Sequence, residues 1–388
     1  MLKQAFLFLA IISVLLFACK TKEQSLNIVN IEKFQATQNY SNIYFLPKTV
    51  IRVNVEISQT VSKQGPYAQY AKSLLNINNI IEKDDIEWDI ENIEFVAYPV
   101  PDTNQIYLLE QNDFPGLFAV SLTPCGLISS VNNQNKEKDF DFLNYINEKK
   151  AGTLNFNPEE SVLNTNNMIN FNDVPLLKEI TGKKTLYAQA QALAEKIYIL
   201  RDDRAAIIVG DGYTENMPDG LAMKEIIKEL NKLERKYLSM FVGKQIERTY
   251  HYSFDFVPEF PKKTTQAILF RFSNQRGIVP VNDVSGTPAI IEINSQQNMK
   301  KVAFLNKRQN YLQKTGKIED YKKGLFYRIP EMVTARLLID EHVLAEKKLM
   351  IAQFGQVHAL SPQYLNGKYI IDFYPALGSI KSIRTVNK

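Results

Sequence analysis

The chain has 388 residues, 45% hydrophobic and 23% charged, with 46 Lys and Arg against 42 Asp and Glu. A net charge of +4 gives no electrostatic footprint for nucleic acid, and no nucleic-acid partner is expected. The composition is that of an ordinary globular protein, and 16 Gly with 16 Pro imply no long low-complexity region.

The first segment, MLKQAFLFLAIISVLLFAC, reads as a secretory leader. Lys3 supplies the positive start and Ala5–Phe17 an apolar run too short for a comfortable membrane span. The run ends Leu16-Phe17-Ala18-Cys19, a pattern that resembles the bacterial lipobox, in which the cysteine thiol receives a lipid before cleavage. Residues 1–18 are therefore expected to be a signal peptide, and Cys19 a lipidation site that fixes the mature protein to a membrane. Without residues 1–18 the charge becomes 4 − 1 = +3, since only Lys3 is lost. With Cys19 committed to lipid, Cys125 has no partner for an internal disulfide and reads as a buried small hydrophobe.

Residues 19–39 are expected to be anchor and tether. Ile51, Val53, Val55 and Ile57 then alternate with Arg52, Asn54, Glu56 and Ser58, the period of a strand, with Pro47 placed at its start. GPYAQYAKSLL has helical spacing. IEWDIENIEFVAYPVPD and QIYLLEQ read as two strands separated by a Pro-Asp turn, and Thr123–Gly126 as a hairpin turn between LFAVSL and LISSV. These form an expected N-terminal β-rich domain over 40–132, followed by an irregular Asn-rich excursion over 133–182.

Within 183–310, Leu186, Ala190, Leu193, Ile197 and Leu200 form one helical stripe. Leu221, Ile226, Ile227, Leu230, Leu233, Tyr237 and Phe241 form another, with Asp219 as N-cap, Gly243 as the C-terminal stop, and Lys224, Glu225, Lys228, Glu229 and Lys232 on the back. Such a helix is expected to lie on a sheet or on its neighbour. QIERTYHYSFDF, with Tyr250, Tyr252, Phe254 and Phe256 on one face, QAILFRFS and PAIIEIN complete the segment as strands. After a polar interval near 294–322, a C-terminal β-rich domain over 311–388 contains a turn at Asp340-Glu341-His342. YFLPKTVIRV and FYRIPEMVTARL share an aromatic, apolar, proline, alternation pattern, which fits either a distant repeat or two edge strands. The expected fold is α+β and β-rich, with antiparallel, sandwich-like sheets around a two-helix element.

YFLPKTVIRVNVEI, GPYAQYAKSLL, MPDGLAMKEIIKELNKLERKYLSMFVGK, QAILFRFS, GLFYRIP and VLAEKKLMIAQFG together resemble an uncharacterised lipoprotein family of Bacteroidota, domain-of-unknown-function family 4831. The resemblance implies a cell-envelope protein of that phylum and carries no catalytic residue.

The chemistry-bearing residues offer little pattern. His251, His342 and His358 lack metal-ligand spacing, GDG at 210–212 lacks the lysine of a phosphate loop, and EKDDIEWDIENIE lacks the ligand spacing of a calcium loop. No catalytic, metal or cofactor-binding residue is assigned, and no cofactor is expected. The sequence points to an outer-membrane lipoprotein, its face left open, held by Cys19 and serving as a non-catalytic scaffold or accessory subunit for an envelope protein. That partner would dock on exposed strand edges or on 133–182. One alternative is an enzyme acting on envelope polymer or glycan, which requires Asp255 or Glu259 to converge with His251. Another is a glycan-binding module, which requires a flat exposed row of Tyr or Phe rings.

Overall fold

The computed structural model describes residues 27–30, 40–110, 119–133, 169–176, 178–183, 185–210, 220–259, 264–295, 325–365 and 367–386. The expected signal peptide at 1–18, Cys19, Asp219 and most of 133–182 lie outside the described residues. Part of the expected tether is a strand, β1 (Asn27–Asn30), because it finds an antiparallel partner in the end of β3.

The first sheet has the order β1-β3-β2-β6, with β2 at Tyr40–Lys63, β3 at Asp85–Glu110 and β6 at Lys244–Phe256. The second has the order β11-β10-β9-β7-β8, from β7 (Thr264–Ser273), β8 (Gly277–Val279), β9 (Thr287–Ser295), β10 (Leu325–Ile339) and β11 (His342–Leu360). The third has the order β13-β12-β5-β4, from β4 (Val120–Leu122), β5 (Ile128–Val131), β12 (Tyr369–Tyr374) and β13 (Ser379–Thr385). Among the described residues every pairing between named strands is antiparallel, with one isolated parallel bridge between Phe45 and Leu127, and the chain is α+β and β-rich. Helices α1 (Ala71–Leu75), α2 (Lys178–Thr181), α3 (Leu186–Val209) and α4 (Gly220–Val242) pack together. The sheets join segments that the sequence divisions keep apart: β1 pairs with β3, β6 with β2, β10 with β9 and β12 with β5.

Two cores lie along β2, and a third begins beyond its end. Its Tyr44 and Leu46 belong to the cluster beneath the third sheet. Ile51, Val53, Val55 and Ile57 belong to the sandwich between the first two sheets, each burial stabilising by about 1.5–3 kcal/mol. Beyond Lys63, Tyr67 and Ala71 join the helices. The buried positions change from even to odd between Leu46 and Ile51, so one strand must gain a residue there. It does so at Pro47. Phe45 opposes Ile106, but Pro47 opposes Pro101, and 102–105 loop out of β3. The expected Pro-Asp turn is therefore a bulge. The chain does not reverse, because both halves of β3 pair with the same β2.

β10 repeats the device. Ile329 opposes Gln356, Glu331 opposes Ile351, and 352–355 loop out of β11 beside Pro330. Two residues before each proline, a backbone N–H donates to a turn glycine of the following hairpin: Phe45 to Gly126 O at 2.9 Å, Arg328 to Gly378 O at 2.8 Å. Gly126 and Gly378 have φ of 75° and 70°, a left-handed conformation suited to residues without Cβ. β2–β3–β4–β5 and β10–β11–β12–β13 are thus two versions of one unit, and neither proline-bearing strand is an edge strand.

The two units fasten each other reciprocally. Arg328 donates to Pro47 O and to Asp102 Oδ2, both at 2.6 Å. From the other bulge, Gln353 accepts from Thr49 N–H at 2.7 Å and donates to Thr49 O at 2.9 Å. A Cβ on Gly355 would overlap the Ile329 carbonyl and lie 2.9 Å from Pro330 Cα. Gly355→Ala is expected to destabilise the protein by about 3 kcal/mol, read as a lowered urea midpoint with unchanged slope. A midpoint equal to the parent would mean that the second bulge is not packed this way.

Candidate functional site

Of the residues singled out by the sequence, His251 and Asp255 lie on the outer face of the first sheet, where β2, β3 and β6 align by register. Arg52 grips Asp255 with both ends of its fork, Nε to Oδ1 and Nη2 to Oδ2 at 2.7 Å. Its guanidinium lies 5.0 Å from the Tyr98 ring centre, and Tyr98 O–H donates to Asp255 Oδ2 at 2.8 Å. Partial burial, then the bond to Asp255, pushes the Tyr98 hydroxyl up to about 12. Asp255 is thereby engaged in a bidentate pair with Arg52 and in the Tyr98 hydrogen bond.

His251 is exposed, opposes Glu56, and stands four residues from Asp255, roughly 13 Å along the strand. Glu259 lies past the end of β6. The geometry does not bring the three together. His342 opens β11 beside the hairpin turn, where Asp340 and Glu341 adopt φ of 49° and 66°. His358 lies 3.0 Å from Gln356 Oε1, and burial lowers its pKa. Tyr250, Tyr252, Phe254 and Phe256 pack against the sandwich core. The exposed rings Tyr187, Tyr198 and Tyr374 are divided between α3 and β12.

A different surface emerges on the helix pair. Thr185 caps α3 by accepting from Ala188 N–H at 3.2 Å, and Gly210 ends it at φ 80°. Ala190, Leu193 and Ile197 of α3 bury against Tyr237, Met240 and Phe241 of α4. Farther out, Glu234 is buried between the helices and accepts from Arg201 Nε at 2.7 Å and from Arg204, which also donates to Asn231 at 2.7 Å. Burial alone would raise the Glu234 pKa; the two guanidiniums outweigh it and hold the group below the usual carboxylate range.

Beyond this clasp the apolar stripe of α4 is only partly covered by described residues: Leu230 and Leu233 are half-buried and Ile226 is exposed. Ile226, Leu230 and Leu233, with Glu225 and Glu229, line a shallow concavity of about 440 Å³. Ile208 and Val209 at the end of α3 are 63% and 83% exposed. Helical periodicity identified the stripe, but the sequence reading had all of it buried. The signal that could have separated the halves is the change in residue size, from large rings at Tyr237 and Phe241 to aliphatic side chains toward Ile226.

The family described as Domain of unknown function (DUF4831) matches residues 40–381, which span all three sheets and the helix pair. The chain belongs to the DUF4831 family. No curated protein and no solved structure matches it.

The clasp gives this DUF4831 protein a defined acid response. Glu234 has a folded pKa below its unfolded value, so its stabilisation is present above the unfolded pKa and is lost as pH falls through the folded one. Thermal melts are expected to fall as pH drops below about 6.5, where half-buried His358 must take up a proton, and to fall further below about 5, that second part less steeply in Glu234→Gln. Identical acid profiles for parent and variant would remove Glu234 from that response.

Proposed function

We propose that this is a Bacteroidota outer-membrane lipoprotein anchored through Cys19, serving as a non-catalytic scaffold or accessory subunit for an envelope protein. The ending Leu16-Phe17-Ala18-Cys19 supports the anchor. The observation that carries the scaffold reading is the aliphatic concavity of Ile226, Leu230 and Leu233 on a helix pair whose inner half is already packed and clasped. Three aliphatic side chains at spacings of four and three fit the aliphatic stripe of a partner helix.

The experiment is co-purification in mild detergent, with the partner quantified against the lipoprotein. Ile226→Asp together with Leu230→Asp is expected to remove a stoichiometric partner while leaving circular dichroism unchanged. A partner retained by the double variant would move the docking surface elsewhere. A parent protein that purifies alone would overturn the scaffold reading.

A further inference from the structure

We propose that the protein stands end-on on the bilayer, its third-sheet end toward the lipid and its helix pair raised on the order of 70 Å above it. The inference rests on the reading of Cys19 as a lipid anchor and follows from chain length and register. Only 27 − 19 = 8 residue steps separate Cys19 from Asn27, so β1 begins at most about 28 Å from the anchored sulfur. β1 is fixed to one end of the molecule, because Asn27 opposes Glu110 and Asn30 opposes Tyr107. Tyr40, the first residue of β2, opposes the same Glu110.

From there β2 runs 24 residues to Lys63, on the order of 75 Å at the rise of an extended strand. The helices begin past Lys63. Tyr67 N–H donates to Met240 O at 2.8 Å and Ile81 N–H to Val242 O at 2.9 Å, tying α1 and α4 to that far end. Anchor and helix pair are therefore at opposite ends of one strand.

Lying flat on the outer face of the first sheet is opposed by charge. The outer face of the first sheet carries Glu56, Glu87, Asp89, Glu91 and Glu94, while its Arg52 is engaged by Asp255. Such a flank is repelled by an anionic bilayer. The third-sheet end, within reach of the anchor, carries Lys381 and Arg384 on β13, a strand at the edge of its sheet, with Arg384 paired to Asp372 at 2.5 Å. The partner of the α4 concavity must accordingly present its docking helix tens of ångströms from the membrane that holds this protein.

The test uses the full lipidated protein, extracted in detergent, carrying Cys125→Ser, and reconstituted on vesicles containing anionic lipid and an acceptor-labelled headgroup. Donor dye is placed at Ile43→Cys near the anchored end or at Lys72→Cys on α1, both exposed positions. The Ile43 label is expected to lose most of its donor emission and the Lys72 label to keep nearly all of it. Equal quenching at both sites on protein that binds the vesicles would overturn the end-on orientation and leave the anchor standing. Protein that does not bind the vesicles would overturn the anchor and the orientation together.

Discussion

The buried contact between Arg328 and Asp102 is the constraint on which the arrangement of the three sheets depends. Both side chains are less than a tenth exposed, so neither charge is stabilised by water. Burial lowers the Arg328 pKa and Asp102 opposes that shift, while burial is also the main influence raising the nearby Tyr107 hydroxyl. An isolated charge in such a place would cost several kcal/mol, so Arg328 and Asp102 are tolerated only together. The same arginine bonds to Pro47 O through its side chain and to Gly378 O through its backbone. One residue of β10 thereby fixes the β2–β3 bulge and the β12–β13 turn.

That fastening explains how a single strand can serve two cores. A strand of 24 residues with one buried face would normally twist away from its partner sheets long before its end. The bulge at Pro47 exchanges the buried parity, so Tyr44 and Leu46 enter one cluster and Ile51 to Ile57 another. The matching bulge at Pro330 does the same for β10, with Phe326 in the first cluster and Val333, Ala335 and Leu337 in the second. Gln353 holding Thr49 completes the exchange between the units. The result is a rigid shaft with helices at one end, and the proposed roles of anchor and docking surface follow from which end each occupies.

Much of this is visible in the residues, but unevenly. The alternation from Ile51 to Ile57, the rings of β6 and the stripe from Leu186 to Leu200 identify their elements, because period alone reports a buried face. Period does not report a partner, so the pairing of β2 with β6, nearly two hundred residues on, had no sequence signal. Asp102 after Pro101 carries the chemistry of a turn, and only Arg328, 226 positions away, makes it a buried acceptor instead. The aromatic, apolar, proline pattern shared by β2 and β10 was legible as a resemblance; its meaning required the two register shifts. At the proposed docking surface, the α4 stripe was legible, whereas its partly covered half depends on α3 covering only part of its length.

The most direct measurement is a double-mutant cycle in urea on Asp102→Leu and Arg328→Met. Each single variant is expected to lose about 3–5 kcal/mol, because each leaves one charge buried without its partner. The double variant, with both charges gone, is expected to lose clearly less than the sum of the two. Single variants near parent stability whose effects simply add would contradict the claim that this contact joins the two units.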